Sequence, residues 1–233
     1  ADSYAAVEAN INELMNQSHL FQINSPGIEV ENFSGNYFNK KKLREKYGIK
    51  STDILFGSTG RLHKSKGYEI SINCINELIN KKGIKCKLLI AGEGPLRSNL
   101  IQLINQLELN NNVILLGMVF NIENFLCSLD YYIQSSRNEG FPVATIEALA
   151  AKVPVVCTDA GGLPELITDN KSGIVVNKNS ITSLVEGICN MLSLTKLEQS
   201  TMVSNGFQTA IRFSTKRAME SDVLVYKSLL NNT

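Results

Sequence analysis

Short, nearly continuous apolar runs alternate with longer segments of helical periodicity from about residue 53 onward. The apolar runs are DILFGST, KCKLLIAG, NVILLG, DYYIQSS, PVVCTD and SGIVV. Runs that are apolar throughout, instead of alternating between apolar and polar positions, are typical of strands covered on both faces, as in a parallel sheet. Each run is followed by a helix-like segment or a short turn. The pattern therefore predicts an α/β fold with a doubly wound parallel sheet.

The two ends of the chain lack this alternation. We predict a helix at 3–16, a short strand at 20–24, a loop at 24–39, and a basic helix in KKKLREKYG that ends at Gly48. The helical tail from about residue 195 has no strands to pair with. We therefore predict a central α/β domain at 51–195, a linker with flanking helices at 1–50, and a helical tail at 196–233.

Composition narrows the class of protein. Hydrophobic residues make up 43% and charged residues 19% of the 233 positions, and the net charge is only +1. This balance supplies a large core and excludes a disordered chain, and it gives no sign of a nucleic-acid-binding protein. No apolar run reaches the ~20 residues of a membrane-spanning helix, and the first ten residues lack the pattern of a secretory signal.

The cysteines and histidines indicate the compartment and argue against a metal site. The five cysteines are odd in number and widely spaced, and no pair has the spacing of zinc ligands. With only two histidines, a histidine-rich metal site is excluded as well. Reduced, buried thiols are typical of cytosolic proteins, so we expect a cytoplasmic location.

Candidate ligand-binding residues lie in the loops that follow the predicted strands. In a doubly wound sheet, ligands bind beyond the carboxyl ends of the strands. The loops there carry many of the glycines together with Arg61, Lys66 and Arg137. Glycine allows a backbone to approach a ligand closely, and cations beside it indicate an anionic ligand.

The segment SSRNEGFPVATIEALAAKVPVV adds a helix N-terminus to this picture. We expect Pro142 at the first helical position. The helix would then begin with three amides free to bind phosphate, those of Val143, Ala144 and Thr145. Glu147 lies five residues beyond Pro142, about 7.5 Å along the axis, and Glu139 lies in the loop before the helix. A diphosphate at the helix start would therefore have a carboxylate on either side.

EGFPVATIEALA, in which seven residues separate Glu139 from Glu147, resembles the signature of the retaining glycosyltransferases of family 4 (group 1), which have the GT-B fold. Other segments are similar to the family's motifs in order and spacing: STGRLHKSKG, IAGEGPLRSNL, NNVILLGMV and VPVVCTDAGGLPELITDNKSGIVV. SPGIEVENF is similar to the family's interdomain linker. One departure is Lys152, where the family commonly has glycine. The resemblance implies that residues from about 53 to 195 form the Rossmann-like C-terminal half of a GT-B fold, which binds the sugar donor.

The resemblance also implies roles for single residues. Arg61 and Lys66 would contact the diphosphate of the donor. Glu139 would contact the transferred sugar, and Glu147 would bind the ribose hydroxyls. The other implied donor-binding residues are Gly140, Phe141, Val143 and Ala144 around the helix start, and Gly117, Met118 and Val119 beside the base.

The implied function is transfer of a sugar from a nucleoside-diphosphate sugar to a hydroxyl acceptor, with retention of the anomeric configuration, in glycan, polysaccharide or glycolipid synthesis. The N-terminal, acceptor-binding domain has no counterpart in this sequence, so we expect the chain alone to bind the donor without transferring sugar. Two alternatives stay open, a nucleotide-sugar epimerase and a non-catalytic nucleotide-binding module. Peripheral association of the full-length protein with the inner face of the membrane is also open, since KKKLREK is basic and the family acts on lipid or glycan acceptors.

Neither a cofactor nor a metal ion is expected. Metal-dependent sugar transferases typically hold a cation with paired acidic side chains, and no Asp-x-Asp pair occurs in the sequence. Arg61, Lys66 and a helix N-terminus can instead stabilise the charge of the diphosphate. Glu139 and Glu147 lie on opposite sides of the helix start. This placement suits a ligand stretched between them better than an ion, whose oxygen ligands lie at about 2 Å.

Overall fold

The computed structural model of the chain describes residues 27–33 and 37–231. The predicted helix at 3–16 and the predicted strand at 20–24 lie outside the described residues. The described residues contain a six-stranded sheet. Its strands are β1 (Ile54–Thr59), β2 (Cys86–Ala91), β3 (Val113–Gly117), β4 (Tyr131–Gln134), β5 (Val155–Thr158) and β6 (Ile174–Val176).

The strand order is β3-β2-β1-β4-β5-β6, and every adjacent pair is parallel. The predicted doubly wound parallel sheet is therefore confirmed. Burial explains why the runs could be read from the sequence, since the side chains of Leu55, Leu88 and Val155 have no exposed surface. Burying a side chain of this kind contributes roughly 1.5–3 kcal/mol each to folding.

Helices cover the sheet in two groups. The described helices are α1 (Tyr37–Lys46), α2 (Tyr68–Asn80), α3 (Arg97–Gln106), α4 (Ile122–Leu126), α5 (Val143–Ala150), α6 (Leu163–Leu166), α7 (Ile181–Ser193), α8 (Lys196–Arg212) and α9 (Thr215–Asn231), with short 3-10 turns at Val30–Phe33 and Lys64–Lys66. Helix α2 packs against α3 and α7, whereas α4 packs against α1 and α5, and α5 also contacts α8. The basic helix predicted to end at Gly48 is α1, which is followed by a turn.

The chain divides into two compact units. One unit runs from Glu29 to Arg212 and contains the whole sheet. In the described part of the other unit, Ile28 N donates to Phe213 O (3.0 Å) and Thr215 N donates to Ile28 O (2.9 Å). The boundaries predicted at 51 and 195 stay predictions. Among the described residues, no helix combines the length and the apolar character that crossing a membrane requires.

The sheet order also fixes where a ligand can bind. From β1 the sheet grows through β2 to β3 in one direction, and from β4 it grows through β5 to β6 in the other. Strands β1 and β4 are therefore neighbours whose following loops diverge, which opens a crevice at their carboxyl ends. The loop that carries Arg61 follows β1, and the loop that carries Glu139 follows β4.

Candidate functional site

A cleft of about 500 Å³ lies at this switch point of the sheet. Its walls come from the loops after β1 and β4, the residues that follow β2 and β3, and the first two turns of α5. The predicted site residues that line it are Arg61, Lys66, Met118, Val119, Glu139, Phe141, Val143, Ala144 and Glu147. Gly117 and Gly140 do not line the cleft, although each is next in sequence to a residue that does.

The loops after β1 and β2 meet at a contact that requires glycine. Gly92 has a φ of 149°, and a Cβ built there would lie 1.9 Å from the carbonyl oxygen of Gly60. Gly60 N donates to Ala91 O (3.0 Å), and Gly92 N donates to Gly117 O (2.8 Å). The backbone next to Arg61 is thus held in place by the neighbouring strand ends.

A second close approach supports the backbone of Glu139. Gly161, in the loop after β5, has a φ of 52°, and a Cβ there would lie 1.8 Å from the carbonyl oxygen of Glu139. That oxygen accepts a hydrogen bond from Gly162 N at 3.1 Å. The hydroxyl of Thr158 donates to the carbonyl oxygen of Ser136 at 2.6 Å. The end of β5 and the loop that follows it therefore hold the loop after β4 in place.

The carboxylate of Glu139 is buried and paired. Only 9% of its side chain is exposed, and Lys66 Nζ lies 2.7 Å from Oε1 and 2.9 Å from Oε2. Two neutral donors also reach Oε2: Ser136 Oγ at 2.7 Å and Gln134 Nε2 at 3.2 Å. Lys66, predicted to bind phosphate, is therefore bound in this structure to the carboxylate predicted to contact the sugar.

Glu139 and Arg137 are two positions apart in the loop after β4, but they do not pair with each other among the described residues. Arg137 instead forms an ion pair with Glu69 at the start of α2. The two carboxylates thus have separate cations. Glu139 faces the cleft with Lys66, and Arg137 lies on the exposed side of the same loop.

Glu147 provides the other carboxylate of the cleft, and its surroundings differ from those of Glu139. Its side chain is half-buried on α5, and no hydrogen bond to its carboxylate is found among the described residues. Partial burial raises the pKa of Glu147 above its ordinary value, and the charge of Glu123 raises it further. A half-buried carboxylate without donors gains from a ligand that brings hydroxyl groups.

Arg61 is the exposed cation of the cleft. Within the described part of the chain, its guanidinium makes neither an ion pair nor a hydrogen bond. A guanidinium carries five N–H donors and stays charged at every working pH. Arg61 can therefore bind an anionic group without first giving up a partner, whereas Lys66 has to share its charge with Glu139.

The start of α5 differs from the sequence prediction. Pro142 is the N-cap residue, with φ −84° and ψ 64°, and the helix begins at Val143. The prediction of three free amides is wrong, because Val143 N donates to Phe141 O (3.0 Å) and Thr145 N donates to Pro142 O (3.0 Å). Of these three amides, that of Ala144 has no partner among the described residues. This end of α5 thus offers one amide and its partial positive charge.

Sequence reasoning missed the polar side chains behind Glu139. Tyr132 and Gln134 belong to a run that reads as a buried strand, and both are indeed buried. A signal was nevertheless present, since a glutamine inside a buried strand needs hydrogen-bond partners. We name Thr59, Tyr132, Gln134, Ser136 and Glu139 the β4 network, because their side chains form one continuous set of hydrogen bonds.

A doubly wound parallel sheet with cations and carboxylates at its switch point defines an α/β protein with a charged cleft where such sheets bind ligands. Residues 39–208 match the family described as glycosyl transferases group 1. The chain belongs to this family, and the resemblance read from EGFPVATIEALA is confirmed.

The curated relatives of this chain include a named sugar transferase and a synthase. The chain is 32% identical over 200 residues to N-acetylgalactosamine-N,N'-diacetylbacillosaminyl-diphospho-undecaprenol 4-alpha-N-acetylgalactosaminyltransferase of Campylobacter jejuni, covering 85% of this chain and 51% of the relative. It is 26% identical over 199 residues to N-acetyl-alpha-D-glucosaminyl L-malate synthase of Bacillus anthracis, covering 83% and 52%. The chain spans about half the length of the curated relatives it matches.

Solved structures show the same fold. HepE of Anabaena, crystallised with UDP and glucose, superposes with a TM-score of 0.81 at 22% identity, covering 89% of this chain and 57% of HepE. The C-terminal domain of LpcC from Francisella tularensis superposes with a TM-score of 0.68 at 22% identity, covering 81% of this chain and 100% of that domain. The fold is thus that of one half of a GT-B glycosyltransferase.

Proposed function

We propose that this chain is the donor-binding half of a retaining glycosyltransferase that moves a sugar from a nucleoside diphosphate to a hydroxyl acceptor. The observation that carries the proposal is the convergence of Arg61, Lys66, Glu139 and Glu147 on one cleft at the switch point. These side chains come from two loops and from α5, and Arg61 and Glu147 have no partner among the described residues that would explain their place there. The family and the UDP-bound fold relatives support the same reading.

Arg61 and the amide of Ala144 are the groups that we expect to meet the diphosphate first. Both are free of partners among the described residues, and both carry positive charge or partial positive charge. Lys66 would then donate a hydrogen bond to the phosphates and pair less closely with Glu139. Charge-assisted hydrogen bonds of this kind are about twice as strong as neutral ones.

Glu147 and Glu139 would bind the two sugars of the donor. The ribose hydroxyls can donate to the carboxylate of Glu147. This carboxylate accepts no hydrogen bond from the described chain, and partial burial destabilises its charged form. The transferred sugar would lie next to Glu139. As the bond to the diphosphate breaks, the cations stabilise the leaving group and the carboxylate of Glu139 stabilises positive charge on the sugar. We assign Glu139 this electrostatic role and not that of a nucleophile.

The donor would bind without a metal ion. Arg61, Lys66 and the start of α5 provide the positive charge, and both oxygens of Glu139 are already held by protein donors. We expect the affinity for UDP or GDP to be the same within about twofold in excess EDTA and in magnesium. A tenfold gain on adding magnesium that disappears in Glu139→Gln would reassign Glu139 as a metal ligand.

Activity would require partners beyond this chain. We propose that an N-terminal, acceptor-binding domain completes the active site and that the full-length protein works in the cytoplasm, in peripheral contact with the inner membrane face. Helix α1 bears on the last point. Lys40 and Arg44 pair with Asp130 (2.8 and 3.0 Å). Lys41 lies 3.9 Å from Glu45, and Lys46 Nζ lies 5.1 Å from the centre of the Tyr47 ring. In the described part of the chain, Lys42 is therefore the α1 lysine left to meet anionic lipid. Flotation of the full-length protein with anionic and with neutral vesicles tests this contact.

Calorimetric titration of this chain with UDP, GDP and ADP tests the donor-binding proposal. Binding of one nucleoside diphosphate, much stronger than that of its nucleoside, is expected because the free groups of the cleft recognise phosphate. Assays for sugar transfer and for donor epimerisation by the same chain should both be negative. Sugar transfer by the chain alone would contradict the need for a second domain, and epimerised donor would favour the epimerase instead.

A further inference from the structure

The side-chain hydrogen bonds of the β4 network run without a break from Thr59, at the end of β1, to the carboxylate of Glu139. Thr59 N donates to the hydroxyl of Tyr132 at 3.3 Å, and Thr59 Oγ1 lies 3.0 Å from the same hydroxyl. The Tyr132 hydroxyl donates to Gln134 Oε1 at 2.8 Å. Gln134 Nε2 then donates to Ser136 Oγ at 2.7 Å and to Glu139 Oε2 at 3.2 Å.

The orientation of the Gln134 amide follows from these contacts. If the amide were reversed, its carbonyl oxygen would face the carboxylate of Glu139 and its NH₂ group would face the Tyr132 hydroxyl. The observed arrangement places a donor against the carboxylate. Burial keeps the Tyr132 phenol protonated by raising its pKa, so that its hydroxyl remains a donor to Gln134.

The two oxygens of the Glu139 carboxylate are held differently. Oε2 accepts from Lys66, Ser136 and Gln134, which uses its capacity as an acceptor. Among the described residues, Oε1 accepts from Lys66 alone. Oε1 can therefore accept a further hydrogen bond from a ligand hydroxyl, whereas Oε2 is held by two neutral donors on and just after β4.

We propose that Gln134 is the positioning residue of Glu139 and that it holds Oε2 so that Oε1 faces the transferred sugar. Gln134 is 3% exposed and Tyr132 is fully buried, so neither touches the ligand itself. The network also joins the two sides of the cleft, because Thr59 immediately precedes the Gly60–Arg61 backbone. The inference rests on the proposed function, in which Glu139 contacts the sugar.

The test compares two affinities of this chain, one for a nucleoside diphosphate and one for the same nucleotide carrying a hexose. UDP, UDP-glucose, UDP-N-acetylglucosamine, GDP and GDP-mannose are the probes, and the ratio of the two dissociation constants is the sugar increment. Gln134→Met keeps the size of the side chain and removes its donor. We expect it to lower the sugar increment about two- to tenfold, the value of one hydrogen bond, with the nucleoside diphosphate affinity unchanged.

Gln199→Met is the matched control. It removes a glutamine–tyrosine hydrogen bond of similar length, from Gln199 Nε2 to the Tyr131 hydroxyl (2.9 Å), on a half-buried side chain of α8 away from the cleft. It should leave the sugar increment as in the wild type. Tyr132→Phe, which frees the Gln134 amide to rotate, should lower the increment less than Gln134→Met does, and it carries the test if Gln134→Met does not fold.

Each other outcome has a definite meaning. An unchanged sugar increment in folded Gln134→Met overturns the positioning role, and so does an equal loss of affinity for the nucleoside diphosphate and its hexose derivative. If the wild type binds a nucleoside diphosphate without any gain from a hexose, Glu139 contacts no sugar and the inference fails. If the wild type binds no nucleotide, the proposed function itself fails.

Discussion

The two sides of the cleft prepare for a ligand in opposite ways. On the β1 side, Arg61 is exposed and has no partner among the described residues. On the β4 side, Glu139 is buried, paired with Lys66 and held by two neutral donors. A free charge in water costs little to keep and is ready for an anion, whereas a buried charge is stable only when it is paired. The contrast separates residues that act on binding from residues that also act on stability.

The largest effect on stability should follow from disturbing the close contact between Gly161 and the backbone of Glu139. Gly161→Ala places a Cβ 1.8 Å from the Glu139 carbonyl oxygen, on a backbone with positive φ. We expect the free energy of unfolding to fall by more than about 3 kcal/mol, since strain and overlap add. Urea denaturation measures it. Gly83→Ala is the control, because Gly83 also has positive φ but no atom within 4 Å of the added Cβ, and a loss as large there would remove the steric argument.

Breaking the Lys66–Glu139 ion pair should have the next largest effect on stability. Lys66→Met leaves a carboxylate with 9% exposure without its cation, and we expect unfolding to become easier by about 2–3 kcal/mol. Lys66→Met combined with Glu139→Gln should recover part of that loss, because the amide needs no counter-charge. Stability of Lys66→Met equal to the wild type would mean that the pair contributes nothing to the fold.

A substitution on the β1 side should change ligand affinity without changing stability. Arg61→Ala removes an exposed side chain, so the free energy of unfolding should stay within about 0.5 kcal/mol of the wild type. Nucleoside diphosphate affinity should fall by about 1.5–3 kcal/mol, roughly 10- to 100-fold, and nucleoside affinity should hardly change. Titration calorimetry with both ligands checks this. Equal losses for the nucleoside and the diphosphate would rule out a phosphate contact.

The smallest effect concerns Glu147, whose pKa is raised by burial and by Glu123. A carboxyl group with a raised pKa in the folded state is most compatible with folding when protonated, so its cost appears as the pH rises through that pKa. Glu147→Gln should therefore stabilise the ligand-free chain at pH 7 and lose this advantage well below the ordinary value of 4.5. Thermal unfolding across this pH range tests the prediction. A variant less stable than the wild type at pH 7 would indicate that the Glu147 carboxylate has a stabilising partner in the folded chain.

The sheet could be predicted from the sequence because every strand except β3 is buried over most of its length, which leaves a continuous apolar run such as KCKLLIAG. The position of the cleft followed from topology, since loops after parallel strands share one edge. The pairing of Lys66 with Glu139 could not be predicted, because they lie 73 positions apart and both were assigned to the ligand. The start of α5 was misplaced by one residue because Pro142 suits both the N-cap and the first helical position.

The ion pair between Lys66 and Glu139 also bears on the order in which parts of a substrate are recognised. Without a diphosphate, the ammonium group of Lys66 neutralises the carboxylate of Glu139, so a neutral hydroxyl of a free hexose would gain little from Oε1. A diphosphate can draw Lys66 away, because it offers negative charge in return. The hydrogen bond between Glu139 and the sugar would therefore become favourable only after the phosphates have bound Lys66. Glucose should then gain measurable affinity in the presence of UDP and show none in its absence, and binding of free glucose to the empty chain would contradict this order.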